Sequence, residues 1–226
     1  RTRNWNVIWI WRRSKLKHLD TSLYFITDST GLSEEEFLRR TEEALRGGVT
    51  LLQLREKNRT TREYLSLAEK VHALTRRYGG PLSIDDRLDV AMAMEAEGVH
   101  LGQSDLPIHM ARRILGPDKI VGATAKTVPQ ATEAYEQGAD YLGVGAIYPT
   151  TTKVKTVLTS TDTLRDICKA VPIPVNAIGG LNKTNIDVLC GIPIAGICVV
   201  SAIMKADDPR QAAVDLRDRA KELGIL

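Results

Sequence analysis

From Leu23 onward one pattern repeats to the end of the chain: a short apolar run rich in β-formers, then a longer amphipathic stretch. The runs are Leu23 to Thr27, Leu51 to Leu54, Leu82 to Ile84, Val99 to Leu101, Ile120 to Ala123, Tyr141 to Val144, Val175 to Ile178 and Gly196 to Val200. Alternation of this kind implies βα units, because parallel strands can be joined only by a crossover long enough to hold a helix. The helical stretches open on cap chemistry: Ser33 with Glu36, Thr60 with Glu63, and Thr127 with Gln130 place a hydroxyl three residues ahead of a second polar side chain. Gly47-Gly48 and Gly79-Gly80 stop the first two. A doubly wound open sheet would carry a Gly-rich turn after its first strand, and Asp28-Ser29-Thr30-Gly31 is not one. Eight units in roughly 200 residues close instead into an α/β fold of the (β/α)8 TIM-barrel class, in a single domain.

Composition agrees with one core. The chain has 226 residues, 43% of them hydrophobic and 26% charged, which suffices for one sizeable apolar interior. Residues 21–226 are assigned to the barrel. Residues 1–20 differ: Trp5, Trp9 and Trp11 alternate with Arg1, Arg3, Arg12, Arg13, Lys15 and Lys17. This stretch is expected to be a poorly ordered basic extension outside the catalytic unit. The net charge is only +3, and without this extension the body is close to neutral, which excludes nucleic acid as a partner on charge grounds. No apolar run reaches the roughly 18 to 20 residues that cross a bilayer, and none resembles a secretion signal, so no membrane partner is expected. Cys168, Cys190 and Cys198 form an odd set without CxxC spacing, pointing away from disulfides and zinc and toward a cytoplasmic location. These features permit a homo-oligomer.

Barrels of this class carry their chemistry at the carboxyl ends of the strands. The second run leads into Gln53-Leu54-Arg55-Glu56-Lys57, where strand alternation puts Gln53, Arg55 and Lys57 on one side. The third ends in Asp85-Asp86-Arg87, the fourth in Gly102-Gln103-Ser104-Asp105 and the fifth in Thr124 and Lys126. The sixth is followed by Thr150-Thr151-Thr152-Lys153, the seventh by Gly179-Gly180 and the eighth by Val200-Ser201. Asp86 and Asp105, on adjacent strand ends, suit a shared hard cation such as Mg2+, which takes oxygen ligands and keeps substrate phosphates or waters in its shell. Arg55, Lys57 and Lys153 add positive charge. A metal with several cations fits a diphosphate that must bind and then depart. The loops at Gly179-Gly180 and Val200-Ser201 fall where barrels often bind a second phosphate. Taken singly, each aspartate would more often be a cap or a surface ion pair, for example with Arg87, and His100 is expected to be a packed, hydrogen-bonded residue.

Together the segments Gln53 to Lys57, Asp86-Arg87, Gly98-Val99-His100-Leu101-Gly102-Gln103-Ser104-Asp105, Pro149-Thr150-Thr151-Thr152-Lys153, Ile178-Gly179-Gly180 and Val200-Ser201-Ala202-Ile203 resemble the motif set of the thiamine phosphate synthase family, in order from about Leu23 to Glu222. The resemblance implies coupling of a small-molecule pyrimidine diphosphate to a thiazole phosphate, with release of diphosphate. It implies that Gln53, Arg55, Lys57 and Lys153 hold the pyrimidine diphosphate within a block that includes Leu54 and Glu56. Thr124 lies near the leaving group, and Asp86 and Asp105 hold Mg2+. Lys153, Arg55, Lys57 and Thr124 would act on the departing diphosphate, while Thr150, Thr152, Gly180, Val200 and Ser201 would hold the thiazole phosphate, with Thr151 among the substrate-binding residues. Two positions depart from the family: Asp85 stands where Asn is usual, and Thr124 where Ser is commoner. An ionised Asp85 accepts hydrogen bonds but cannot donate them, so it is expected to face the pyrimidine's amine rather than an anionic group. The alternatives are a thiazole tautomerase, which needs no metal and diphosphate site, and a non-catalytic barrel that binds thiamine phosphate. The acidic and basic constellation speaks against both.

Overall fold

The computed structural model describes residues 19–150 and 157–226, so the extension assigned to residues 1–20 lies almost wholly outside the described residues. Eight parallel strands close into a barrel in sequence order. They are β1 (Leu23–Ile26), β2 (Leu51–Leu54), β3 (Leu82–Asp85), β4 (Gly98–Leu101), β5 (Ile120–Ala125), β6 (Tyr141–Gly145), β7 (Val175–Ile178) and β8 (Gly196–Val199). Closure is carried by β1, which pairs with β2 through Tyr24 and Leu51 and with β8 through Tyr24 and Cys198. Every expected strand is present, with ends shifted by at most two residues.

The crossovers are α1 (Glu34–Arg46), α2 (Thr61–Tyr78), α3 (Leu88–Ala93), α4 (Ile108–Leu115), α5 (Val128–Gln137) and α6 (Thr161–Ala170), with α7 (Ser201–Met204) and α8 (Pro209–Glu222) after the last strand. In α1 the Ser33 hydroxyl accepts from Glu36 N, three glutamates occupy the first turn where the helix dipole favours them, and Phe37, Thr41, Ala44 and Leu45 form the buried stripe. Only Thr60 with Glu63 makes the reciprocal capping box. The Glu36 carboxylate is taken instead by Arg39 and Arg40, and Gln130 Oε1 accepts from Lys126 N. Gly47 ends α1 and also lets it approach α8, since a Cβ there would sit 2.6 Å from that of Ala213. After β7 the connection is a single 3-10 turn, Ile186–Leu189, where the repeat would place a helix.

Strand alternation divides the interior into two layers. Leu23, Phe25, Leu52, Leu54, Leu82, Ile84, Val99 and Leu101, with their counterparts on the later strands, face the helices and join them in one aliphatic core. The opposite parity points into the barrel, where Tyr24, Ile26, Leu51, Tyr141 and Cys198 pack together. Polar residues share that inner layer: Gln53, Ser83, Asp85, His100 and Asn176 are all buried. A dry outer layer thus supplies the hydrophobic stabilisation, and the inner layer is left to present polar groups upward.

Candidate active site

A cavity opens at the carboxyl ends of the strands, and all eight contribute to its wall or rim. Gln53 and Arg55 enter it from β2, Asp85 from β3, His100 from β4 and Thr124 from β5. Thr150, Gly180, Val200 and Ser201 close the far side. Residues far apart in sequence are therefore gathered around one cavity, whereas Lys57, Asp86 and Asp105 are not among the residues that line it. Lys153, Thr151 and Thr152 lie outside the described residues.

Two residues of the Gln53 to Lys57 block stand elsewhere. Leu54 is fully buried in the layer between strands and helices, so its side chain cannot reach the mouth. Glu56 also turns away: its carboxylate accepts from Ser29 Oγ at 2.9 Å and from Arg59 Nε at 3.0 Å, tying the loops after β1 and β2. Strand parity sends the Leu54 side chain to the face opposite Gln53, and Glu56, beyond the end of β2, is held by its loop partners.

On the near side the charges interlock. Lys57 Nζ lies 2.7 Å from Asp85 Oδ2 and also contacts the Asp86 carboxylate, while Arg55 Nε stands 3.8 Å from Asp85 Oδ2. Burial alone would lower the pKa of Lys57, but the two carboxylates outweigh it and the net shift is upward. Asp85 behaves oppositely. Burial, and then the neighbouring negative charge of Asp86, raise it to about 6 despite Lys57 and Arg55. The Lys57 contact is one of charge, and Asp85 Oδ2 has no hydrogen bond of good geometry.

Asp86 adopts φ 59°, left-handed backbone that a non-glycine residue rarely enters, and its N–H donates to His100 O at 2.9 Å. Its carboxylate and that of Asp105 are near enough to influence one another. Burial is the largest influence on both groups, yet Lys57 carries Asp86 below its usual value, while Asp86 helps to push Asp105 up. Asp105 Oδ2 also accepts from Gly102 N at 2.6 Å. Arg87 does not neutralise the pair: its guanidinium bonds Asp89 at 2.6 Å and Thr61 at 2.8 Å. Two carboxylates that sense each other's charge, one held in an uncommon backbone conformation, suit a hard cation that takes few protein ligands. Among the described residues no three His, Cys, Asp or Glu side chains assemble into a larger cluster.

On the far side Gly179 and Gly180 have φ of 105° and 65°, and a Cβ on Gly180 would lie 2.7 Å from that of Tyr148. Glycine there lets the loop after β7 fold against the loop after β6 where both line the cavity. The floor is built from residues that carry no motif. Tyr24 and Tyr141 hydroxyls are 2.9 Å apart, and His100 bridges Tyr141 and Thr124. The signal in the sequence that could have found the two tyrosines is their inward parity. His100 is the packed, hydrogen-bonded residue expected, but it also lines the cavity.

Similarity to known proteins points the same way. Residues 23–203 match the family described as thiamine monophosphate synthase. The chain is 54% identical over 186 residues to thiamine-phosphate synthase 2 of Streptococcus pneumoniae, covering 82% of this chain and 89% of that protein. With thiamine-phosphate synthase of Clostridium tetani it shares 46% identity over 200 residues, 88% of this chain and 96% of the other. The solved structure of thiamine phosphate pyrophosphorylase from Pyrococcus furiosus superposes with a TM-score of 0.83 at 40% identity, covering 91% of this chain and 98% of that one.

Proposed function

The chain belongs to the thiamine monophosphate synthase family, and from that premise we propose that its cavity joins 4-amino-2-methyl-5-hydroxymethylpyrimidine diphosphate to 4-methyl-5-(2-phosphoethyl)thiazole, Mg2+ assisting, to give thiamine phosphate and diphosphate. The observation that supports the residue roles is the division of the cavity: Arg55 and Asp85 line one side, with Lys57 and Asp86 paired beside them, and Gly179, Gly180, Val200 and Ser201 line the other. Among the described residues no helix is long and apolar enough to cross a membrane.

The chemistry needs no protein nucleophile. The pyrimidine's amino group donates electron density into the ring as the C–O bond to diphosphate breaks, leaving a stabilised methylene cation that the thiazole nitrogen then attacks. Arg55, Lys57 and Lys153 would neutralise charge as it grows on the leaving oxygens, and Thr124 would add a hydroxyl contact. Asp86 and Asp105 would hold the Mg2+, which supplies further charge stabilisation to the diphosphate. Thr150, Thr151, Thr152, Gly180, Val200 and Ser201 would seat the thiazole phosphate, fixing the nitrogen along the line of attack. Closure of the two substrates over each other would keep water from the cation.

The test is to supply both substrates with Mg2+ and follow thiamine phosphate and diphosphate together, with and without a chelator. Equimolar release that stops on chelation is expected. Product formation insensitive to chelator would remove the metal from the reading, and no product at all would remove the reaction.

A further inference from the structure

We propose that Tyr24, Tyr141 and His100 form a one-way chain of hydrogen bonds, started by Gln53, that fixes the hydroxyl hydrogen of Thr124 toward the substrates. This inference rests on the reaction proposed above for what Thr124 touches, but its geometry stands alone.

The chain crosses the barrel floor in four steps. Gln53 Nε2 donates to Tyr24 OH at 2.5 Å, Tyr24 OH meets Tyr141 OH at 2.9 Å, Tyr141 OH meets His100 Nδ1 at 3.1 Å, and His100 Nε2 meets Thr124 Oγ1 at 3.0 Å. An amide nitrogen can only donate, a phenol has one hydrogen, and a neutral imidazole has one donor and one acceptor. Those inventories set the direction. The Tyr24 oxygen accepts from Gln53, so its own hydrogen goes to Tyr141; Ser83 also reaches the Tyr141 hydroxyl, and with Ser83 as donor the hydrogen of Tyr141 goes to Nδ1. The imidazole hydrogen is then on Nε2 and is given to Thr124 Oγ1, leaving the Thr124 hydrogen directed into the cavity.

The reverse direction is costlier. If Nδ1 donated to Tyr141 and Tyr141 to Tyr24, the Tyr24 oxygen would accept twice and its hydrogen would have no acceptor in the chain. Tyr24 is 1% exposed, so water does not readily satisfy it. Thr124 would also be turned, donating to His100 and presenting lone pairs to an anion. Phosphate oxygens only accept, so the direction decides whether Thr124 attracts the leaving group or repels it.

The floor is shaped around this chain. A Cβ on Gly122 would lie 2.2 Å from Tyr141 Cζ, 2.4 Å from its hydroxyl and 2.6 Å from His100 Nδ1. A Cβ on Gly143 would stand 3.4 Å from His100 Cε1. Two inward positions on adjacent strands therefore lack side chains where the relay passes. Tyr24 and Tyr141 meet edge to face, their ring centres 5.5 Å apart and their hydroxyls 2.9 Å apart. Tyr24, Tyr141 and His100 are positioning residues: none is required to touch the reacting atoms.

The experiment reads the tautomer and the turnover separately. In 15N-labelled protein, a long-range proton–nitrogen spectrum, recorded where the imidazole is neutral and assigned by His100→Asn, should show His100 with its hydrogen on Nε2. Tyr141→Phe removes the donor to Nδ1 and should give a mixture of tautomers. The same substitution should lower kcat roughly tenfold or more while KM for the pyrimidine diphosphate moves less than about twofold. In a Thr124→Val background, Tyr141→Phe should cost nothing further, and Thr124→Ser should retain the sensitivity. Tyr24→Phe, one step back, gives a second and smaller perturbation should Tyr141→Phe fail to fold. A wild-type spectrum with hydrogen on Nδ1 overturns the proposal, as do an unchanged kcat in Tyr141→Phe or multiplying losses in the double variant. Absence of product from the wild type would fail the proposed reaction instead, and the tautomer would still decide the direction of the chain.

Discussion

Asp85→Asn should make the ligand-free, metal-free protein more stable at neutral pH. The carboxyl is buried, Asp86 repels it, and its pKa rises from 3.8 to about 6 even with Lys57 and Arg55 beside it. A folded value above the unfolded one means that the native state holds the proton more tightly between those limits. Stability from this group is therefore present at low pH and is lost as pH climbs from about 4 to 6. Each pH unit separating the folded and unfolded values corresponds to about 1.4 kcal/mol, so the ionised group destabilises the fold by a ceiling of about 3 kcal/mol above pH 6. Asparagine keeps the volume without the charge, and Lys57 retains Asp86 as its partner. For a chain of this size 1 kcal/mol moves Tm by about 2 to 4 °C, so the variant should melt up to roughly 6 to 12 °C higher at pH 7.5. Thermal melts of both proteins across pH 4 to 8, in chelator, measure it. The difference should be near zero at pH 4 and reach a plateau by pH 7. A difference independent of pH, or a variant that melts lower at pH 7.5, would refute the electrostatic account of this residue.

Three further outcomes are expected. Asp105→Asn should raise the Mg2+ concentration for half-maximal turnover at least tenfold with thiazole phosphate affinity unchanged, and an unaltered Mg2+ requirement would take this carboxylate out of the metal site. Gly180→Ala should weaken thiazole phosphate binding about tenfold or more in calorimetry, because φ 65° and the 2.7 Å approach to Tyr148 cannot both survive a Cβ; undiminished affinity would separate that loop from the phosphate. Leu54→Ala should cost roughly 2 to 5 kcal/mol in denaturant melts yet leave both KM values alone. A changed KM in a fully stable Leu54→Ala protein would place that side chain at the substrates after all.

The barrel was legible because its period is long and its strands are short and apolar. Eight runs bounded by turn residues leave little freedom once parallel pairing is required, and the observed ends move by at most two residues. Cap chemistry was legible less evenly. The hydroxyls of Ser33, Thr60 and Thr127 all accept as expected, but the returning side chain is committed only where no better partner competes, and Glu36 finds two arginines within one turn. The seventh crossover could not be read as short from periodicity alone. Asn182 and Asn185 fold that segment on itself, with Asn185 Oδ1 accepting from Asn182 N at 2.8 Å and its amide donating to Gly180 O at 2.9 Å. Local side-chain bonds of this kind offer the backbone an alternative to a helix.

The inner layer shows why a motif identifies a site more readily than it explains one. Residues proposed to meet substrate stand at strand ends, where their types follow the charge to be bound and can be read in order along the chain. What orients them lies one layer deeper and joins positions with no local relation: Tyr24 and Tyr141 are 117 residues apart, His100 and Thr124 are 24 apart. Alternation says that these side chains point inward but not that they meet. The glycines give the missing constraint, because an inward glycine in a strand costs conformational entropy and needs a steric reason. At Gly122 the reason is the Tyr141 ring and His100, so the glycine and the relay account for each other. The same division separates the two kinds of damage a substitution can do. Outward positions such as Leu54 hold the fold through apolar contact and tolerate change in proportion to volume, whereas inward positions fix the direction of a few buried hydrogen bonds, where the loss of one hydroxyl alters chemistry as well as stability.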